Sequence, residues 1–165
     1  MNFHEGDSVM HWTYGLGQIL NLEERTLFGS KILYYAVKVH DLTVWVPSDK
    51  HLSSRLRRPT SASKFKQLQA ILSGPSEPLP DDWHARRLHL RELMRGGRAA
   101  SLCQVIRDLS ARKAVSSLND FDQAVLREAR AILLGEWEHA MSISHMQAEL
   151  ELHRLLNSGS TQAGV

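Results

Sequence analysis

The chain of 165 residues holds a single cysteine, Cys103. One thiol excludes an internal disulfide and any cysteine-rich metal site. Cys103 lies among Leu102, Val105 and Ile106 in an apolar helical pattern, so a small buried thiol is expected rather than a nucleophile. No apolar run reaches membrane-spanning length and no basic-then-apolar leader opens the chain, which makes a cytoplasmic protein the expectation. His-Glu-x-x-His, a phosphate-cradling glycine loop and a nucleophile elbow are all missing. The nine histidines do not make up for that lack. His84 and His89 are five apart, off a common helical face, and His145 and His153 are eight apart, about two turns. Gly15 and Gly17 are too few for a dinucleotide loop, and a tight turn explains them. The expectation is therefore no enzyme, no cofactor and no metal. There is no internal repeat.

What is present is an uneven charge. Residues 1–54 carry four basic and six acidic side chains (net −2), residues 55–113 thirteen and five (net +8), and residues 114–165 three and seven (net −4). Positive charge concentrated in the middle third is the footprint of a polyanion partner.

Residues 1–54 read as β structure. Ser8–His11 forms a short strand, Gly15 and Gly17 mark a turn or bulge, and Gln18–Leu22 begins the next strand. Phe28-Gly29-Ser30 signals a hairpin. Lys31–Val39 is rich in β-formers, His40-Asp41 turns the chain, and Leu42–Val46 alternates with period two before Pro47 stops it. A last short strand is expected within residues 48–60. Four or five short strands in about 50 residues suggest a small, strongly bent barrel, which usually binds rather than catalyses.

Ser61 caps a helix carrying Phe65, Leu68, Ile71 and Leu72. Ser73–Pro80 then breaks regular structure with three prolines and a glycine, and the internal boundary is drawn there. The wholly helical part beyond it has helices over Trp83–Met94 and Arg98–Arg112. A third starts at the Asn119 cap, with Leu118 as hydrophobic staple, and runs through Trp137 in its apolar stripe. A fourth opens on a Ser144–Gln147 capping box and carries Met146, Leu150, Leu152 and Leu155. The tail, residues 158–165, reads as disordered. The fold class is α+β, with a β domain over residues 1–60, a helix and Pro-rich linker over 61–80, and a helical domain over 81–157.

Leu79 to Arg87 is the densest stretch. Asp81 or Asp82 caps a helix, which explains adjacent carboxylates better than acid–base chemistry does. Helix phasing then gathers Trp83, Arg86 and Arg87 near one face of the first turn. Guanidinium groups beside an aromatic ring suit a nucleic-acid edge, where arginines hold phosphates and the ring wedges against bases. A buried tryptophan above a solvated arginine face is the competing reading.

Taken in order, the chain resembles the CarD/CdnL family of bacterial transcription regulators, from Phe3 to about Leu156. The matching residues are Phe3-x-x-Gly6-Asp7-x-Val9, Tyr14-Gly15-x-Gly17, Glu23, Gly29, Tyr34-Tyr35, Val37 and Val46-Pro47. They continue as Trp83-x-x-Arg86, Ile106–Leu109, Leu118 and Ala129–Leu133-x-x-Glu136. The resemblance implies a Tudor-like N-terminal domain, shared with transcription-repair coupling factors, that docks on the RNA polymerase β subunit. It also implies a helical domain that meets promoter DNA at the upstream edge of the melted bubble. Trp83 would wedge into the minor groove there, independent of sequence, with Arg86 and Arg87 on adjacent phosphates. Further DNA contacts are expected from Arg91, Arg112 and Lys113, and polymerase contacts from Arg25, Trp45, Val46 and Pro47. A monomer is expected.

Departures from the family pattern keep a second reading open. Trp12-Thr13-Tyr14 stands where members often have a proline and histidines, and Trp45 where a basic residue is common. Asp120, Asp122 and Glu128 occupy a helix that is often basic near its start. The alternative is a protein-interaction module of the same fold that does not wedge DNA.

Overall fold

The computed structural model describes residues 2–162. The alternating segments pair as an antiparallel sheet of β1 (Ser8–His11), β2 (Gly15–Leu27), β3 (Ser30–Val39), β4 (Leu42–Pro47) and β5 (Leu56–Arg57), in the order β4-β3-β2-β1-β5. The β2–β3 hairpin turns on Phe28 and Gly29, with φ of 49° and 79°; two successive positive φ values match the right-handed strand twist. Register slips between Ile19 and Asn21, a bulge that bends β2. The inner face (Val9, Ile19, Tyr35, Val37, Val39, Val46, Leu56) is closed over by Phe3 and by Leu52 from a 3-10 turn.

Five helices follow: α1 (Ala62–Ser73), α2 (Trp83–Met94), α3 (Ala99–Val115), α4 (Asp120–Met141) and α5 (His145–Gln162). Their caps are those the sequence signals. Asp82 accepts from the Ala85 amide at 2.9 Å, Asn119 from Asp122 at 2.8 Å and Ser144 from Gln147 at 3.2 Å. Leu102, Ile106, Leu109, Leu133, Trp137 and Leu152 centre the core. Cys103 is buried there, and burial first, then the nearby Glu136 charge, pushes its thiol up to about 12, which leaves it unreactive.

Three expectations need correcting. First, α1 belongs to the bundle rather than to a linker. Phe65 and Leu72 are buried in the helical core, and the Phe65 ring lies 5.2 Å from that of Trp137. The Pro-rich stretch is thus a strap across the bundle, held by buried Leu79 and by the Glu77 amide donating to Asp108 at 2.9 Å. Proline breaks helices without marking a domain edge. Second, α5 continues through Gln162, where the sequence reads as tail. Gly159 makes this possible: a Cβ there would stand 3.0 Å from the Gly74 carbonyl oxygen, so only glycine allows α5 to pass the end of α1. Residues 163–165 lie outside the described residues. Third, the buried stripe of α5 is Ala148, Leu152 and Leu155, while Met146 and Leu150 face solvent.

Sheet and bundle meet along one junction. Met10 is buried in the helical core, not the sheet core. Arg57 on β5 donates to both Glu136 oxygens, at 2.6 and 2.7 Å, and to the Gly97 carbonyl at 2.9 and 3.0 Å. Glu136, wholly buried, also accepts from the Thr60 amide at 2.8 Å. Gly97 has φ of 60°, and a Cβ there would lie 3.0 Å from the Trp12 Cα. Glycine satisfies both the conformation and the close approach.

The turn between β1 and β2 is closed by a histidine. His11 is buried, and its Nδ1 accepts from the amides of Thr13 and Tyr14 at 3.1 and 3.2 Å. Burial lowers its pKa from the ordinary 6.5. Below 6.5 the unfolded chain then binds a proton that the folded chain refuses, so stability falls as pH drops from 6.5 through the folded value. Thermal melts of wild type should show this loss, and it should be absent in His11→Asn. Equal pH dependence in both proteins would refute the acceptor role.

Candidate nucleic-acid and partner interfaces

The first turn of α2 divides the residues that its sequence brings together. Asp82 caps the helix, and Trp83 follows on the outside, 49% exposed, its ring stacked on that of His84 with centroids 3.7 Å apart. Arg86 turns inward, in phase with fully buried Leu90, and is only 5% exposed. Its Nε donates to Asp122 at 2.8 Å and its Nη1 to the carbonyls of Pro80 and Asp81 at 3.0 Å each. Arg86 therefore holds the strap to α4 and has no face left for a phosphate, which corrects its expected DNA role. The reason is phase: three residues after Trp83 the helix has already turned inward.

Arg87 is half-buried, its Nε shielded from solvent, and Arg91 stays outside. Their guanidinium carbons lie 4.8 and 5.8 Å from the centroid of Phe121, at the start of α4. Neither forms an ion pair among the described residues. Phe121 thus holds two cations in place by cation–π attraction without neutralising them. Arg112, near the end of α3, reaches Asp81 at 3.5 Å and screens the carboxylate nearest Trp83. Lys113 is exposed but lines a different hollow of about 780 Å³, with Arg127 and Arg130 of α4. The structure so gathers Trp83, Arg87 and Arg91 on one surface, adds Arg112 at its edge, and sets Lys113 apart.

The acidic start of α4 is less acidic than it reads. Asp122 is spent on Arg86, which leaves Asp120 and Glu128 on the surface. Arg107 and Asp108 pair within α3 at 2.8 Å, and Asp108 also anchors the strap. Among the described residues no group of three or more His, Cys, Asp or Glu could hold a metal ion, and no helix is long and apolar enough to cross a membrane.

On the sheet, the other candidate surface is the outer face of β2, β3 and β4. Trp45 stands opposite Ala36, and the Arg25 guanidinium carbon lies 3.6 Å from its ring centroid. Arg25 also approaches Glu23 at 3.7 Å, and Pro47 lies opposite Tyr34 two pairs further along. These side chains share a face because strand residues two apart point the same way. Val46 cannot join them. It is 2% exposed in the sheet core, so its expected partner contact is corrected by strand alternation.

Sequence reasoning missed two features. The Arg57–Glu136 pair spans 79 residues, and its one local sign is an acid inside the apolar stripe beside Trp137. The other is a cleft of about 310 Å³ at the sheet–bundle junction, lined by Trp12 from the β1–β2 turn and by Phe121 of α4.

Comparison with known proteins agrees with this division. Residues 3–59 match the CarD-like/TRCF RID domain, and residues 67–153 match the CarD C-terminal domain. The second match begins inside α1, consistent with α1 packing in the bundle. A Bacillus subtilis (strain 168) protein named "Putative transcription factor YdeB" is 28% identical over 148 residues, covering 88% of this chain and 96% of its own length. Sheet, bundle and both family matches lead to one statement: the chain belongs to the CarD family of transcription regulators, which are not enzymes.

Proposed function

We propose that the protein docks on the RNA polymerase β subunit through the outer face of its sheet and stabilises open promoter complexes through the N-terminal half of α2. The observation that carries this reading is Trp83, an exposed indole at the start of a helix, followed on the same side by Arg87 and Arg91, two cations without ion-pair partners among the described residues. An apolar wedge at the edge of melted DNA occupies the space into which the strands would restack, and offsets part of a penalty of a few kcal/mol. Neighbouring guanidinium groups add affinity that depends on salt and not on sequence. Base reading is unnecessary, because the polymerase supplies the address. Arg25 and Trp45, locked together by cation–π attraction, offer a rigid aromatic and cationic patch suited to a protein interface. The protein would then work in the cytoplasm on the nucleoid, as a monomer.

The second reading, docking without DNA, draws on the acidic start of α4 and on Trp45; with Asp122 internal, Asp120 and Glu128 are the carboxylates that support it on that surface.

The lifetime of open complexes with cognate polymerase decides between them. Wild type should lengthen it, and Trp83→Ala should shorten it again by about tenfold, the effect of losing roughly 1.4 kcal/mol of fork stabilisation. Polymerase binding should persist in the variant. If both proteins bind polymerase and neither changes the lifetime, the protein is a docking module.

A further inference from the structure

We propose that the cleft between the β1–β2 turn and helices α2 and α4 receives one unstacked nucleobase from a separated DNA strand. The inference rests on the reading of α2 as a surface for melted DNA and adds to it a second aromatic contact, made by the β domain.

Trp12 is 43% exposed at the tip of a turn that has little freedom to move. Its amide donates to the Arg55 carbonyl at 3.0 Å, Gly97 presses against its backbone, and His11 closes the turn from within. The ring is displayed from a fixed backbone and not tucked into either core. Such an indole is a stacking platform with little ordering cost on binding. Phe121, Met94, Arg91 and Arg95 line the cleft with it. At about 310 Å³ the space lies at the small end of the ligand-cleft range of roughly 300–1,000 Å³, which suits one flat ring better than a peptide helix.

Two features fit a base in the cleft with its sugar-phosphate outside. Among the described residues Arg91 has no ion-pair partner and Arg95 only a loose one to Glu92 at 3.6 Å, so the flanking sugar-phosphate meets positive charge. Glu128, also lining the cleft, would repel a phosphate that entered it. A carboxylate there accepts from the exocyclic amino group of adenine or cytosine, which thymine lacks. The cleft also lies on the path from Trp83. Residues 83 and 91 are eight apart on one helix, about 12 Å along its axis. That is roughly three to four nucleotide rises. A strand parted at Trp83 reaches the cleft within a few nucleotides, passing Arg87.

The test uses the full chain and a short oligothymidine carrying one 2-aminopurine, without polymerase. Stacking should quench the probe on binding, and Trp12→Ala should relieve the quench and weaken binding by about fivefold or more, as loss of a stacked base does. The salt slope of binding should stay unchanged, because no phosphate contact is lost. A second variant guards against a loosened turn: Glu128→Gln, on the surface, should erase a preference for adenine over thymine at the probe position. Quench and preference that survive both substitutions would overturn the proposal. So would a quench that disappears in Trp83→Ala but persists in Trp12→Ala, and in that case the wedge reading stands while the cleft reading falls. If Trp12→Ala relieves the quench but Trp83→Ala leaves open complexes unaltered, the cleft reading stands and the wedge reading falls.

Discussion

Glu136→Ala is expected to lower unfolding stability by about 3–5 kcal/mol, the range for breaking a buried ion pair from one side. The wholly buried carboxylate accepts three hydrogen bonds, two from Arg57 and one from the Thr60 amide. Alanine leaves a guanidinium and an amide facing a space that water enters poorly, and each unpaired donor costs its desolvation. Because Arg57 belongs to the sheet and Glu136 to α4, the loss falls on the junction. Urea unfolding followed separately by Trp137 fluorescence, with Trp12, Trp45 and Trp83 replaced by phenylalanine, and by sheet signal should therefore change from one transition to two. Replacing both partners, as in Arg57→Met with Glu136→Met, should recover much of the stability, since apolar pairs of similar volume often match buried ion pairs. A single transition in Glu136→Ala, shifted by less than about 1 kcal/mol, would show that the pair does not hold the junction.

The same pair sets an acid limit. Burial by itself raises the Glu136 pKa, but the Arg57 hydrogen bonds and charge and the Thr60 amide outweigh it, and the group titrates below its ordinary 4.5. A depressed carboxylate stabilises the fold at pH above 4.5, and that stabilisation is lost as pH falls through the folded value. Glu136→Gln should therefore be less stable than wild type near neutrality and lose less of its stability below pH 4.5.

Local signals carried most of the architecture. Alternation in residues 31–46 and the Asn119 and Ser144 caps depend on neighbours within a few residues, and each reappears in the structure. What could not be read is what depends on distant partners. Pro75, Pro78 and Pro80 look like a linker, yet the strap is tied by Asp108, 31 residues from Glu77. Ser158 and Gly159 look like a tail, yet α5 continues because glycine lets it pass α1. Met146 and Leu150 are apolar at helical spacing but lie on the solvent face, while small Ala148 is buried. The candidate surface divides in the same way. Trp83 and Arg87 were legible as a pair, but the separation of Arg86 from them required knowing that Asp122 waits on α4. Trp12 stands in the sequence only as a departure from the family pattern, and the cleft it lines with Phe121 depends on residues more than 100 positions apart.

Arg86→Ala is the second large effect, and it separates a structural arginine from a DNA-binding one. If Arg86 held a phosphate, alanine would weaken DNA binding and reduce the salt slope by about one ion while leaving the melt alone. The geometry requires the opposite. Arg86 and Asp122 are both buried, 2.8 Å apart, and Arg86 also carries the last carbonyls of the strap. Its loss leaves Asp122 charged in the core and the Pro80 and Asp81 carbonyls without their donor, so a drop of about 3–5 kcal/mol is expected. DNA binding at a temperature where the variant is still folded should keep its salt slope, although affinity should fall because the strap no longer fixes the entry to Trp83. Arg87→Ala is the comparison: Arg87 is half-buried and forms no ion pair among the described residues, so its melt should shift far less than that of Arg86→Ala, while its salt slope falls by about one. The double variant Arg86→Met with Asp122→Leu completes the test. It removes both charges at once, so it should melt closer to wild type than Arg86→Ala does. Should the double variant be as unstable as the single one, the strap carbonyls and not the ion pair would account for the loss, and Arg86 would act chiefly as the clamp that aims Trp83.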